Sequence, residues 1–202
     1  MRRWPFVAGM GLLLLPVVAL TAQGLTKQQA DSMAVKVQAI YVRGELPPGA
    51  GTAPAPLRTS FSQQEANAYF HHYGPQFLPA GLVDPRVAIA DASRVQARAV
   101  VDLDRVRTAK HRGWLDPLAY VTGSVEVTLA GRLFAANGVG VIRFESATVG
   151  GVDVSESVVQ ELISFYTVTP ENPRGFRLGE PFDLPSNIRA VQMAAGAATV
   201  VQ

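Results

Sequence analysis

The chain has 202 residues, 48% hydrophobic and 17% charged, a composition typical of a globular protein with one sizeable core. Arg2 and Arg3 account for the whole formal charge of +2, so the rest of the chain is neutral and is not expected to bind nucleic acid. The absence of cysteine excludes disulfides, cysteine nucleophiles and thiolate metal sites.

Residues 1–24 have the layout of a secretory signal peptide, with two arginines, an apolar run over residues 6–20 and small residues up to Gly24. The run is short for a membrane span of about 20 residues. We therefore expect cleavage after Gly24 and a periplasmic or secreted protein, with a retained N-terminal anchor as the alternative. Residues 25–202 are expected to form a single domain, with a proline- and glycine-rich loop at residues 44–60.

Amphipathic segments in three places predict helices. The first follows a capping box formed by Thr26 and Gln29, and the second follows another formed by Ser62 and Glu65. A third helix is expected after Ser155, a residue type favoured at the N-cap.

Residues 120–149 predict one long β-hairpin, because apolar and polar residues alternate on both sides of Asn137 and Gly138. Asn-Gly is the sequence that a two-residue type I′ turn favours, and counting outward from it fixes the register. The predicted pairs are Ala136 with Val139, Leu133 with Ile142, Arg132 with Arg143, Gly131 with Phe144 and Ala130 with Glu145, with Glu145 diagonally near Arg132.

A further strand is predicted over residues 95–103, where the inward residues include the small Ala97 and Ala99. Small inward residues leave room for a helix or a ligand. Together these elements predict an α+β fold in which a long, strongly curved antiparallel sheet packs around or against two to three helices.

The apolar face of the predicted sheet and the helix after Ser155 enclose a core that is either filled or hollow. If it is hollow, we expect a lipid or another apolar small molecule to bind there. The candidate lining residues are Val121, Val125, Val127, Leu129, Leu133, Ile142, Phe144, Leu162 and Ile163.

Residues 105–117 are basic and run into a tryptophan, which has two interpretations. Such a loop can meet anionic head groups and insert its indole at a membrane interface, or it can be a solvated hairpin loop whose indole packs on the core. The candidate residues for peripheral membrane contact are Arg107, Lys110, Arg112 and Trp114.

Catalytic patterns are weak in this chain. His71 and His72 are neighbours on a predicted helix and cannot both face one metal ion, and Asp102 and Asp104 stand among arginines that favour ion pairs. There is no nucleophile elbow, phosphate-binding loop or dinucleotide fingerprint. We therefore expect a protein without enzymatic activity, metal or cofactor.

Four segments resemble a family of bacterial envelope proteins related to the tubular lipid-binding superfamily. They are the stretch from Phe61 to Tyr69, the strand end at residues 101–104, the glycine pair with Val152 to Val154, and the stretch from Phe182 to Ile188. The resemblance implies a long antiparallel sheet wrapped around a helix, with an apolar channel for acyl chains. It favours non-catalytic binding of lipid in the cell envelope; the alternative is an envelope adaptor with a filled core that binds a protein partner.

Overall fold

The computed structural model describes residues 24–45, 55–79, 81–105, 122–170 and 172–202, and its fold is α+β as predicted. The helices that lie wholly within the described ranges are α1 (Lys27–Glu45), α2 (Gln63–Tyr73) and α3 (Glu156–Thr167), with a 3₁₀ turn at Gly74–Gln76. The strands are β1 (Arg58–Ser62), β2 (Leu82–Ile89), β3 (Arg94–Asp102), β4 (Ser124–Ala136), β5 (Val139–Val149), β6 (Val152–Asp153), β7 (Phe182–Asp183), β8 (Ala190–Ala194) and β9 (Ala197–Val201).

The larger sheet is antiparallel and has the strand order β2-β3-β4-β5-β6, with β7 pairing to the outer side of β5. Its centre is the hairpin of β4 and β5. Asn137 and Gly138 have φ angles of 54° and 80°, which confirms the type I′ turn. The predicted pairs from Ala136 and Val139 outward to Gly131 and Phe144 are also confirmed.

Beyond Gly131 the predicted register is wrong by one residue. Ala130 pairs with Ser146 rather than with Glu145, because β5 has a bulge at this point. The bulge leaves Glu145 without an opposite residue and turns its carboxylate towards Arg132, as the register argument expected, with 2.7 Å between Oε1 and Nε.

A second sheet, with the order β1-β9-β8, was not predicted as such. The sequence predicts two short strands over about residues 188–193 and 197–201, with a turn at residues 194–196. It does not predict β1, which pairs with β9 across more than half of the chain. Gly196 joins the two sheets, since its amide donates a hydrogen bond to Ile89 in β2 and its carbonyl accepts one from Gln63 in α2. The second sheet therefore positions the start of α2 at the edge of the larger sheet.

The helix starts follow the predicted caps. Thr26 and Gln29 exchange hydrogen bonds between side chain and backbone, and so do Ser62 and Glu65. Ser155 occupies the N-cap of α3, but its side chain binds another serine instead of capping the helix.

Two predicted boundaries change. The loop expected at residues 44–60 is shorter at both ends, because α1 continues to Glu45 and β1 begins at Arg58, while residues 46–54 lie outside the described part of the chain. The sequence predicts a short strand over residues 86–90, but β2 begins at Leu82 because a bulge accommodates Pro85 within the strand. Residues 1–23 of the predicted signal peptide also lie outside the described part.

Candidate ligand-binding sites

Helix α2 is fastened to the edge of the larger sheet by two of its side chains. The Asn67 carboxamide donates a hydrogen bond to the carbonyl of Val87 at 2.9 Å and accepts one from its amide at 2.7 Å. One turn earlier, Oε1 of Gln63 accepts a hydrogen bond from the amide of Ile89 at 2.8 Å. These side chains satisfy backbone groups that the ladder to β3 leaves free. The helix thereby forms a wall along the β2 edge.

A cleft of about 460 Å³ lies between this wall and one face of the sheet. Most of its lining residues fall in two rows of paired positions that cross the strands, and the alternate residues Val87, Ala97 and Leu129 also border it. The first row is Ala88, Gln96, Ala130 and Ser146, and the second is Arg86, Arg98 and Thr128. Small-molecule sites usually measure about 300–1,000 Å³. The cleft is therefore large enough for a small ligand.

Both arginines of the cleft are already paired with carboxylates. Nη2 of Arg86 lies 2.7 Å from Oδ1 of Asp84, and Nη2 of Arg98 lies 2.6 Å from Oε2 of Glu126. The two arginines and the two carboxylates have no net formal charge, so the end of the cleft at Arg86 and Arg98 is neutral.

A second group of charges lies on the same face, one row beyond the other end of the cleft. Oε1 of Glu145 accepts a hydrogen bond from Nε of Arg132 at 2.7 Å, and Oε2 lies 2.8 Å from Nε of Arg94 in an ion pair without hydrogen-bond geometry. Asp91 lies in the adjoining turn, where the backbone amides of Ser93 and Arg94 donate hydrogen bonds that lower the pKa of its carboxyl group. Two arginines and two carboxylates again balance.

The opposite face of the sheet is apolar, and α3 contacts β5. Along β5, Ala147 on this face is buried, whereas Arg143 and Ser146 on the other face are exposed, from which we infer that α3 covers the apolar face. Near the hairpin turn, the ring of Phe182 occupies the position where a Cβ on Gly140 would lie. The described elements thus cover this face along β5.

Over β3 and β4 the same face is more open. Gln160 and Ser164 of α3 bind the backbone at residues 176–178, so this side of the helix faces the β5 edge. Val158 and Leu162 lie on the opposite side of the helix, where their side chains are 46% and 39% exposed. Ala97 on β3 is exposed as well. From these helical positions we infer that Val158 and Leu162 flank the apolar face of β3 and β4. We call this surface the apolar trough, with that face as its floor and Val158 with Leu162 as its wall.

Of the nine predicted lining residues, Val125, Val127, Leu129 and Leu133 lie in the floor of this trough and Leu162 in its wall, whereas Ile142 and Phe144 lie on β5. Leu162 is exposed on α3 and Ile163 is half-buried, while Val121 lies outside the described residues. The half-buried residues on the apolar face of the hairpin are Val125, Val127, Leu129, Leu133, Ile142 and Phe144. Leu129 is the one predicted residue that also borders the cleft.

The predicted membrane-contact residues Arg107, Lys110, Arg112 and Trp114 all lie outside the described residues. Among the residues that are described, no group of three or more His, Asp or Glu side chains is arranged to hold a metal ion. Within the same ranges, no helix combines the length and apolar character needed to cross a bilayer.

Sequence reasoning missed the cleft because it assigned the polar face of the sheet to solvent. The signal that could have revealed it is the spacing of Gln63 and Asn67, which puts two carboxamides on one side of a helix. A second signal is the presence of Ala88 and Ala130 among polar residues on the polar face, since small side chains there leave space above the sheet.

Comparisons with known proteins add no relative: a scan of family models, a search of curated proteins and a search of solved structures each found no match.

Proposed function

We propose that the protein binds an acyl chain or a similar apolar ligand, without catalysis, in the apolar trough. The observation that carries this proposal is the exposure of Val158 and Leu162 beside an apolar sheet face that is only half-buried. Contiguous exposed apolar surface is typical of binding sites. Covering it removes apolar area from water at about 25 cal/mol per Å².

The shape of the trough favours a long chain over a compact molecule. From Val125 to Leu133 the apolar residues of β4 recur along about 26 Å of strand, and α3 flanks only one side. The side chains of this floor are aliphatic and offer no hydrogen bonds, so the ligand portion that lies there is a hydrocarbon. The resemblance to lipid-binding envelope proteins supports the same proposal, and the signal-like residues 1–24 support a periplasmic or secreted location.

Native mass spectrometry of the purified full chain tests this function together with uptake of a fluorescent fatty acid. We expect copurified lipid and saturable uptake in the wild type. Leu162→Gln should weaken uptake by roughly tenfold, because a buried leucine contributes about 1.5–3 kcal/mol of transfer free energy and part of it is lost. The matched control is Val35→Gln, since Val35 is 70% exposed on α1.

A wild-type protein that shows only its own mass and takes up no fatty acid overturns the proposal and leaves the adaptor alternative. Equal uptake by Leu162→Gln and the wild type also overturns it, because the trough wall would then not contact the ligand. Circular dichroism of each variant establishes that it is folded.

A further inference from the structure

We propose that the cleft between α2 and the polar face of the sheet is a second binding site, and that its ligand is a small neutral sugar. Most residues of this site lie on the polar face of β3 and β4, opposite the apolar trough, and of its lining residues only Ala97 and Leu129 border both. The inference rests on the charge, the hydrogen-bonding groups and the shape of the cleft.

Charge argues against an anion or a cation as the ligand. Arg86 and Arg98 border the cleft, and each is paired with a carboxylate, Asp84 and Glu126, at 2.7 and 2.6 Å. A phosphate would have to compete with these carboxylates for the guanidinium groups. A neutral ligand can instead accept hydrogen bonds from the N–H groups that the ion pairs leave over.

The neutral polar side chains of the cleft can also bind a ligand. Asn67 is fully engaged with Val87, and Gln63 uses its oxygen for Ile89. The NH₂ group of Gln63, the carboxamide of Gln96 and the hydroxyl of Ser146 have no hydrogen-bond partner within the described ranges. They are not fully buried, so they are open to a ligand. Donors and acceptors thus stand side by side, as a molecule with several hydroxyl groups requires.

The shape of the floor suits a ring lying flat. Ala88 and Ala130 are the smallest side chains of their row, and Gln96 stands between them. Gln96 and Ser146 are two strands apart, which separates their backbones by about 10 Å. A sugar ring can rest its C–H face on Ala130 while its hydroxyl groups reach Gln96 on one side and Ser146 on the other.

Nuclear magnetic resonance titration of the full chain provides the test, with glucose, N-acetylglucosamine and its β-linked dimer as probes and inorganic phosphate as the anionic comparison. We expect at least one sugar to shift the side-chain amide signals of Gln63 and Gln96 in a saturable way, and phosphate to leave them unchanged. No shift with any sugar at millimolar concentration overturns the proposal. Tighter binding of phosphate than of every sugar also overturns it.

Two pairs of variants locate the site. Ala130→Leu fills the floor and Ser146→Leu removes a hydroxyl at its end, and each should weaken sugar binding by roughly tenfold or more. The controls are Ala136→Leu and Ser124→Leu, which alter exposed residues on the same face of β4 beyond the cleft. Ser146 is exposed, so its variant should fold even if Ala130→Leu does not. Unchanged sugar binding in folded Ser146→Leu overturns this location.

Discussion

The carboxylate of Glu65 in α2 accepts a hydrogen bond from the ammonium group of Lys36 in α1, with 2.6 Å between Nζ and Oε1. The same oxygen accepts one from the hydroxyl of Ser32, and the other oxygen caps the amide of Ser62. One side chain therefore joins the two helices and closes the start of α2.

This arrangement predicts a loss of stability in acid. Burial alone would raise the pKa of Glu65, but the hydrogen bonds from Lys36, Ser32 and Ser62 outweigh it and lower the pKa from 4.5 to about 2. The ionised carboxylate therefore stabilises the fold above pH 4.5, and this contribution disappears as the pH falls to about 2. A shift of this size corresponds to about 3 kcal/mol.

Urea unfolding of the wild type and Glu65→Gln between pH 6 and pH 2 checks this prediction. The variant should be less stable at pH 6, and the difference between the two proteins should shrink towards pH 2. Glu161→Gln is the control, because Glu161 is exposed on α3. A difference that stays constant over this pH range would contradict the assignment.

Removing the Asn67 side chain should destabilise the attachment of α2 to the sheet edge. Asn67→Ala leaves both the amide and the carbonyl of Val87 without their partner in a partly buried place. Two such losses cost about 2–4 kcal/mol of unfolding free energy. Gln64→Ala, at an exposed position of the same helix, should cost less than about 0.5 kcal/mol. Equal stabilities of the two variants in urea would show that the edge contact contributes nothing.

Glu145→Gln should destabilise the protein more than Glu126→Gln. Glu145 pairs with Arg94 and Arg132 in a partly buried position, so its loss leaves two guanidinium groups without a carboxylate, at a cost of about 1–3 kcal/mol. The pair of Glu126 with Arg98 is exposed and should be worth about 0–1 kcal/mol. Thermal unfolding at low and high salt measures both, and a larger effect at Glu126 would refute the ranking.

Gly140→Ala should destabilise the chain through one defined contact. A Cβ at this position would lie 2.5 Å from Cζ of Phe182, so the ring must move, which typically costs about 1–3 kcal/mol. Combining it with Phe182→Leu should remove most of this clash. Thermal unfolding of the single and double variants gives the coupling between the two sites. Additive effects would mean that Phe182 does not pack against β5 at Gly140.

The features that could be predicted from the sequence are those whose interacting residues are close in the chain. The capping box of Ser62 and Glu65 spans three residues, and the turn at Asn137 and Gly138 spans two. The register predicted from that turn is correct as far as Gly131. It fails at the bulge beside Glu145, because a bulge is selected by packing and ion pairs with other strands and leaves no mark in the alternation of one strand.

For the same reason, the apolar face could be predicted from the sequence and the cleft could not. The alternation of Val125, Val127 and Leu129 identified the apolar face, since side-chain direction in a strand follows from position alone. The cleft forms only when four strands are aligned and α2 is attached to Val87, so the alternation within one strand does not predict it. None of these contacts lies between neighbours in the sequence.

The amino-acid sequence by itself determined the helix starts, the hairpin turn and the division of the central strands into an apolar and a polar face, because local hydrogen bonds and side-chain period suffice for them. Only the tertiary structure decided that β1 joins β9, that the register slips at Glu145 and that the polar face carries a cleft. Those features depend on contacts between distant residues, where several pairings satisfy the same local pattern and the packing of the whole chain selects one.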